Sequence, residues 1–282
     1  MKLRKNPLPN NAGDIACFLL IGLGVPTIVI WDLFIVLPAV YEPGSFMYNF
    51  TFVFSLFLLF NLVSNMLFCI LVDTSYDPKI LEPPQPGSGD RENWHHCESC
   101  NCLAPPRAWH CKTCGICILK RDHHCIFTGC CVGHKNHRYF MLYVGYLVIG
   151  SFYALAYNLY YLFVIRADIY TQTFYHFHMF TMPILLLRGY AVFMPAIFLM
   201  LNLVAVSISA CIFLVHFNLV RRSAVFADKD RSKFDLGLYR NLQSTFGTRV
   251  NLVWISPFIK SPLPDDGFHW PESGDQRLKE IS

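Results

Sequence analysis

Four long apolar runs alternate with polar stretches along this chain: Ile15 to Val36, Thr51 to Val72, Tyr139 to Ile165 and Tyr190 to Val220. Each reaches the ~20 residues that a bilayer-crossing helix needs, so the pattern predicts four transmembrane helices. The first run is longer than a signal-peptide core and has no small-residue cleavage site directly after it, so it is read as a span and not as a removed signal. A short turn, YEPGSFMYN, separates it from the second, and the two are expected to form a helical hairpin. Pro195 should kink the fourth run or mark its entry. A shorter apolar stretch, Phe174 to Leu187, suits an interfacial or re-entrant piece better than a crossing.

Charge fixes the expected orientation. The 23 Lys and Arg residues fall as 3 in the N-terminal tail, 8 between residues 73 and 138, 10 from Arg221 onward, and Arg166 and Arg188 in the remaining loop. The positive-inside rule then places both tails and the 73–138 segment in the cytosol, which four spans satisfy and five do not. Composition agrees with a membrane protein: 54% of the 282 residues are hydrophobic and 15% charged, and mean hydropathy is +0.37. The net charge of +4 reflects topology and contact with membrane lipids, and nucleic acid is not expected as a partner. The expected organisation is a tail with spans one and two (1–73), a cytosolic linker and cysteine-rich domain (74–138), spans three and four (139–220) and a cytosolic tail (221–282).

Cytosolic placement changes the meaning of the cysteines. Nine of the twelve lie between residues 97 and 131, while Cys17, Cys69 and Cys211 sit in spans and are expected only to pack there. Cytosolic thiols stay reduced, so a dense cluster of them points to metal or catalysis and not to disulfides. After the Pro/Gly-rich linker EPPQPGSGDREN come Cys97, Cys100, His110, Cys111, Cys114, Cys117, Asp122, His123, His124, Cys125 and Cys131. Three Cys-x-x-Cys pairs, two of them overlapping, offer more ligands than one tetrahedral ion can take. Two structural zinc ions are expected, with a single zinc or an iron–sulfur cluster as the alternatives; His in the set favours zinc. The segment is poor in apolar residues, so bound metal would supply much of its folding free energy. Spacing leaves open whether the ligands pair sequentially or in a cross-braced way.

The run Cys97 to Phe140, with DHHC followed by CCVGHKNHRYF, resembles the cysteine-rich domain of the DHHC-type protein S-acyltransferases (palmitoyltransferases), including Asn136 and Phe140 after the last ligand. The resemblance implies an all-α polytopic membrane fold of four transmembrane helices with a small cross-braced two-zinc domain between helices two and three. It implies one zinc on Cys97, Cys100, His110 and Cys117 and a second on Cys111, Cys114, His124 and Cys131. Asp122, His123 and Cys125 are thereby left as catalytic residues. RNLQSTFG and the following VWISPFIKSPLPDDG resemble the family's C-terminal element, in which Asn241, Phe246 and Gly247 would dock the tail.

The chemistry this implies is thioester exchange. Cys125 would attack palmitoyl-CoA or another long-chain acyl-CoA, and the thiol of a membrane-associated substrate protein would take the acyl group. A thiol at cytosolic pH needs a neighbouring base, which His123 supplies while Asp122 fixes its tautomer. Burying roughly fifteen methylenes at ~0.8 kcal/mol each gives a gross ~12 kcal/mol for holding the donor among the spans. Lys120 and Arg121 are expected either to meet CoA phosphates or to stay solvated or on lipid headgroups. Cys102 and Cys130 are autoacylation sites or inert thiols, and His95, His96, His134 and His137 are expected to be polar surface or to support a metal ligand from behind. Golgi or endoplasmic reticulum is the family-based expectation for location.

Three features depart from the family pattern. Asp-Pro-Gly after span two reads Asp77-Pro78-Lys79, Pro-Trp after the catalytic Cys reads Ile126-Phe127, and Thr-Thr-x-Glu after span four reads Ser223-Ala224-Val225-Phe226. The last removes a carboxylate and raises the rival reading of an acylated, poorly active membrane scaffold. A zinc-bearing membrane ubiquitin ligase is a further rival, but such a domain has no use for an unliganded Asp-His and Cys.

Overall fold

The computed structural model describes residues 2–78, 83–85, 91, 93–169 and 190–273. The stretch Phe174 to Leu187 and most of the 82–93 linker lie outside these. Among the described residues, four helices are long and apolar enough to cross a membrane. Helix α1 covers Ala12–Trp31 and continues through a π-helical turn, Asp32–Val36, into a last α turn, Leu37–Val40. The widening comes just ahead of Pro38, which has no N–H for the helical ladder. Helices α2 (Phe46–Leu71), α3 (His137–Tyr160, prolonged by a π turn over Tyr161–Ile165) and α4 (Tyr190–Val220, with Pro195 inside its first turns) complete the set. A short α5, Leu238–Phe246, follows in the tail. Polar side chains start the first two helices: Asn11 Oδ1 accepts the Asp14 N–H at 2.9 Å, and Ser45 Oγ accepts the Tyr48 N–H at 3.2 Å, both side-chain N-caps.

The chain divides into two units. One comprises Leu19–Val63 and Tyr143–Phe213. Within it Trp31 stacks on Phe198 at 4.5 Å and donates through Nε1 to Asn158 Oδ1, while Asn158 Nδ2 donates to Asp32 at 2.6 Å. Polar groups at such depth need partners among themselves, and these have them. Val25, Leu33, Leu58, Tyr146 and Tyr153 line a largely apolar cavity in this unit, with Asp32 and Thr51 among its polar walls.

The other unit comprises Met1–Phe18, Ser64–Leu142 and Leu214–Ser282. Its cysteine-rich segment is three antiparallel hairpins: β1 (His95–Cys97) with β2 (Cys102–Ala104), β3 (Trp109–Cys111) with β4 (Ile116–Ile118), and β5 (His123–Cys125) with β6 (Cys130–Val132). The all-α expectation thus describes the spans but not this segment. The physical reason lies in the ligand spacing: a hairpin brings side chains from opposite strands within about 5.5 Å, which lets ligands distant in sequence converge. Strands of three residues cannot stand alone in water, so the hairpins need what their cysteines bind.

Candidate active site

Strand alternation distributes the cysteine and histidine side chains. In β3, successive residues point to opposite faces, so His110 joins Cys97, Cys100 and Cys117, while Cys111 joins Cys114, His124 and Cys131. Cross-strand register completes each set, with His110 opposite Cys117 and His124 opposite Cys131. Two clusters of three thiols and one imidazole result, each with its ligand atoms within 4.8 Å of one another. Ligands of one tetrahedral zinc stand roughly 3.5–3.8 Å apart, given Zn–S near 2.3 Å and Zn–N near 2.0 Å. In the first cluster Cys100 Sγ lies 3.3 Å from His110 Nδ1 and 3.7 Å from Cys117 Sγ. In the second, His124 Nδ1 lies 3.3, 3.6 and 3.8 Å from the sulfurs of Cys114, Cys111 and Cys131. Both donor sets fit zinc in number, type and spacing.

The same alternation separates metal from chemistry in β5. His124 faces the second cluster, which leaves His123 and Cys125 on the opposite face of the strand. His123 Nδ1 donates to Asp122 Oδ2 at 2.8 Å, so the other ring nitrogen is left for the Cys125 thiol, two residues on along the same strand face. Burial alone would lower the His123 pKa; the Asp122 carboxylate and the Cys125 sulfur outweigh it and raise it to about 9. Burial alone would raise Asp122, but the imidazoles of His123 and His216 hold it well below the usual carboxylate range. An anion, an imidazole and a buried thiol in this order are the parts of a nucleophile–base pair with an orienting acid.

Residues 90–227 match the family model described as DHHC palmitoyltransferase. The chain carries a DHHC palmitoyltransferase domain. Over 45 residues it is 49% identical to Probable palmitoyltransferase ZDHHC24 of Mus musculus, a stretch that spans 16% of this chain and 16% of that protein. The protein of the same name from Homo sapiens is 43% identical over 47 residues, 17% of this chain and 16% of its own length. The matched stretches therefore cover a small part of the curated relatives.

The DHHC domain recruits a side chain that sequence reasoning missed. His216, near the end of α4, places Nδ1 3.1 Å from Asp122 Oδ2, and Asp122 Oδ1 accepts the Phe226 N–H at 3.2 Å. Phe140 packs edge-on against both imidazoles, 5.0 Å from His123 and 4.8 Å from His216. A single histidine in an otherwise apolar span was the available signal, since polar groups at such positions are costly without a partner.

The turn after α4 brings a carboxylate into the same unit. Asp228, two residues beyond the position expected for Glu, pairs with the buried Arg107 guanidinium at 2.7 Å. Arg107 further donates to the Ser223 carbonyl at 2.6 Å and lies over Phe234 and Trp270. Within this unit the segment after α4 is thus anchored to the cysteine-rich segment through the Arg107–Asp228 pair. Asn241 ties α5 down by donating to the Arg221 carbonyl at 2.8 Å and accepting the Leu236 N–H at 3.0 Å. Phe246 is buried. Gly247 adopts φ +80°, and a Cβ there would stand 2.4 Å from the Ser261 carbonyl oxygen, so only glycine fits.

Several expectations need correction. Lys120 is 1% exposed, and its ammonium donates to Ser244 Oγ at 2.9 Å and lies over Trp270, so it is directed inward and not toward a CoA phosphate. Arg121 is half-buried, and the nearby sulfurs of Cys131 and Cys111 favour its charged form. His134 and His137, expected at the surface, are buried; burial and nearby Lys120 push His134 down to about 3, which keeps the ring neutral. His95 stacks on Trp109 at 4.5 Å. Cys130 is buried, with its thiol donating to the Cys69 carbonyl at 3.6 Å. Cys211 is exposed on α4, whereas Cys69 packs as expected.

Proposed function

We propose that this protein is a protein S-acyltransferase that moves a long-chain acyl group, palmitoyl above all, from acyl-CoA to Cys125 and then to cysteine thiols of membrane-associated proteins. The observation that carries this reading is the Asp122–His123 hydrogen bond with Cys125 on the same strand face. In the first half-reaction the Cys125 proton passes to the free nitrogen of His123, the thiolate adds to the thioester carbonyl, and the CoA thiolate leaves and takes the proton back. The second half runs the same steps with a substrate thiol as the incoming nucleophile and Cys125 as leaving group. Asp122 stabilises the imidazolium in both.

Two zinc ions, on Cys97, Cys100, His110 and Cys117 and on Cys111, Cys114, His124 and Cys131, would hold the hairpins that present Cys125, and no step passes through them. The distribution of Lys and Arg supports cytosolic tails and a cytosolic zinc domain, in a Golgi or endoplasmic reticulum membrane. Arg121, half-buried, is kept as a CoA-phosphate contact, and Lys120 is assigned to docking.

The test is incubation of detergent-purified protein with a clickable C16 acyl-CoA, wild type beside Cys125→Ser. Hydroxylamine-sensitive label lost in the variant, with steady CoA release by the wild type, is the expected result. Label unchanged in the variant would remove Cys125 as the acylated nucleophile, and one stoichiometric burst without turnover would overturn the acyltransferase reading in favour of the scaffold.

A further inference from the structure

The N-terminal residues form a strap across the catalytic hairpin. At its start Leu3 bridges Val72 in antiparallel fashion, the Arg4 N–H donates to the Leu71 carbonyl at 2.8 Å, and the Asp73 N–H donates to the Lys2 carbonyl at 2.9 Å. Lys2 also pairs with Asp73 at 3.0 Å. Further along, Pro9 lies so close to Gly129, in the turn between β5 and β6, that a Cβ on that glycine would stand 2.5 Å from the Pro9 Cβ. The strap ends in the first turn of α1, where Asp14 is 4% exposed.

Asp14 is the unexplained group. A carboxylate at the head of a long apolar helix gains from the N-terminal N–H groups, and Asn11 Nδ2 donates to its Oδ2 at 2.7 Å. Helix capping accounts for those contacts but not for the third: His124 Nε2–H donates to the same Oδ2 at 2.8 Å. With Nε2 committed to Asp14, the lone pair of His124 is fixed on Nδ1, the nitrogen that faces Cys111, Cys114 and Cys131. A carboxylate on the far side of a metal-binding imidazole sets its tautomer and orientation and raises its basicity.

We infer that Asp14 is the outer carboxylate of the second zinc site, and that residues 2–14 act as a strap which fixes His124 and, through β5, the adjacent Cys125. The inference rests on the reading of Cys111, Cys114, His124 and Cys131 as a zinc site, and goes beyond it by adding a fifth residue 110 positions away in sequence.

The experiment uses the full chain in detergent and reads zinc content by elemental analysis, zinc loss to a colorimetric chelator, and alkylation of individual cysteines by mass spectrometry. For Asp14→Ala the expected result is zinc loss from one site about 10- to 100-fold more readily than in wild type. Cys111, Cys114 and Cys131 should become labelled while Cys97, Cys100 and Cys117 stay protected, which shows that the chain is still folded. Asp14→Asn, which keeps an oxygen for the His124 N–H, should lie close to wild type, and so should Asn11→Ala, which removes the cap but leaves the Asp14–His124 contact. Zinc held equally tightly by Asp14→Ala, or both sites lost alike in Asp14→Ala and Asn11→Ala, would overturn the inference and leave Asp14 a capping residue. Wild type without zinc would instead bring down the zinc reading, and the inference with it.

Discussion

His216 Nδ1 and His123 Nδ1 converge on one oxygen of Asp122, at 3.1 and 2.8 Å. The carboxylate side chain has no exposed surface, so an anion out of contact with water is held by two imidazoles and the Phe226 N–H. Such an anion keeps its charge only while its partners stay in place. In the proposed reaction His216 would position the acid that positions the base.

Replacing His216 by Ala should slow acylation of Cys125 by about 10- to 100-fold, equivalent to ~1.4–2.7 kcal/mol of transition-state stabilisation. The KM for acyl-CoA should stay unchanged, because the defect lies in orientation and not in donor binding. His216→Asn keeps an N–H donor and should recover most of the rate. Single-turnover acylation at saturating acyl-CoA checks this, and a rate equal to wild type for the Ala variant would remove His216 from the site.

Asp122→Asn tests the acid itself. The carboxamide carries an N–H that faces a histidine N–H, so the His123 tautomer that leaves a free nitrogen for Cys125 is no longer favoured. The expected loss is about 10²- to 10⁴-fold in acylation rate, with both zinc ions retained and Cys125 still alkylated. Full activity in this variant would show that the His123 tautomer is set by something other than Asp122.

Arg107 and Asp228 form a pair whose side chains are 2% and 5% exposed. Removing one member leaves the other buried and uncompensated, so Asp228→Ala should destabilise the docked tail by about 3–5 kcal/mol. Arg107→Lys should also be poorly tolerated, because an ammonium cannot reproduce the contacts to Asp228 and the Ser223 carbonyl together. Limited proteolysis after residue 221 and thermal melting follow the effect. Melting unchanged in Asp228→Ala would mean that the pair does not hold the tail.

What the sequence made legible was local. Apolar runs marked the spans to within a few residues, since length and the absence of charge are one-dimensional signals. Ligand types and spacing marked the cysteine cluster, since a metal demands particular atoms at particular separations. The partition into two sets came from a resemblance; strand alternation in β3 and β5 is its physical cause. Contacts between distant segments were not legible: nothing local to Asp14 points to His124, and nothing local to His216 points to Asp122. The Arg107–Asp228 pair was not legible for the same reason, since 121 positions separate its members.

Lys120 provides a pH test of the docked tail. Burial pushes its pKa from 10.5 down to about 7, assisted by Arg107 and opposed by Asp265, Asp228 and Asp122. Below pH 7 the ammonium is charged in both folded and unfolded chains and the whole desolvation cost opposes folding. Between about 7 and 10.5 the unfolded chain holds the extra proton, so stability rises with pH, by at most ~1.4 kcal/mol per pH unit from this one group. Lys120→Met fills similar space without a charge and should abolish that rise, and at pH 7 it should cost little despite losing the bond to Ser244. Melting temperatures of wild type and variant across pH 6.5–9.5 separate this group from the cysteines, which titrate in both proteins. Parallel curves would mean that Lys120 keeps its ordinary pKa and has access to water.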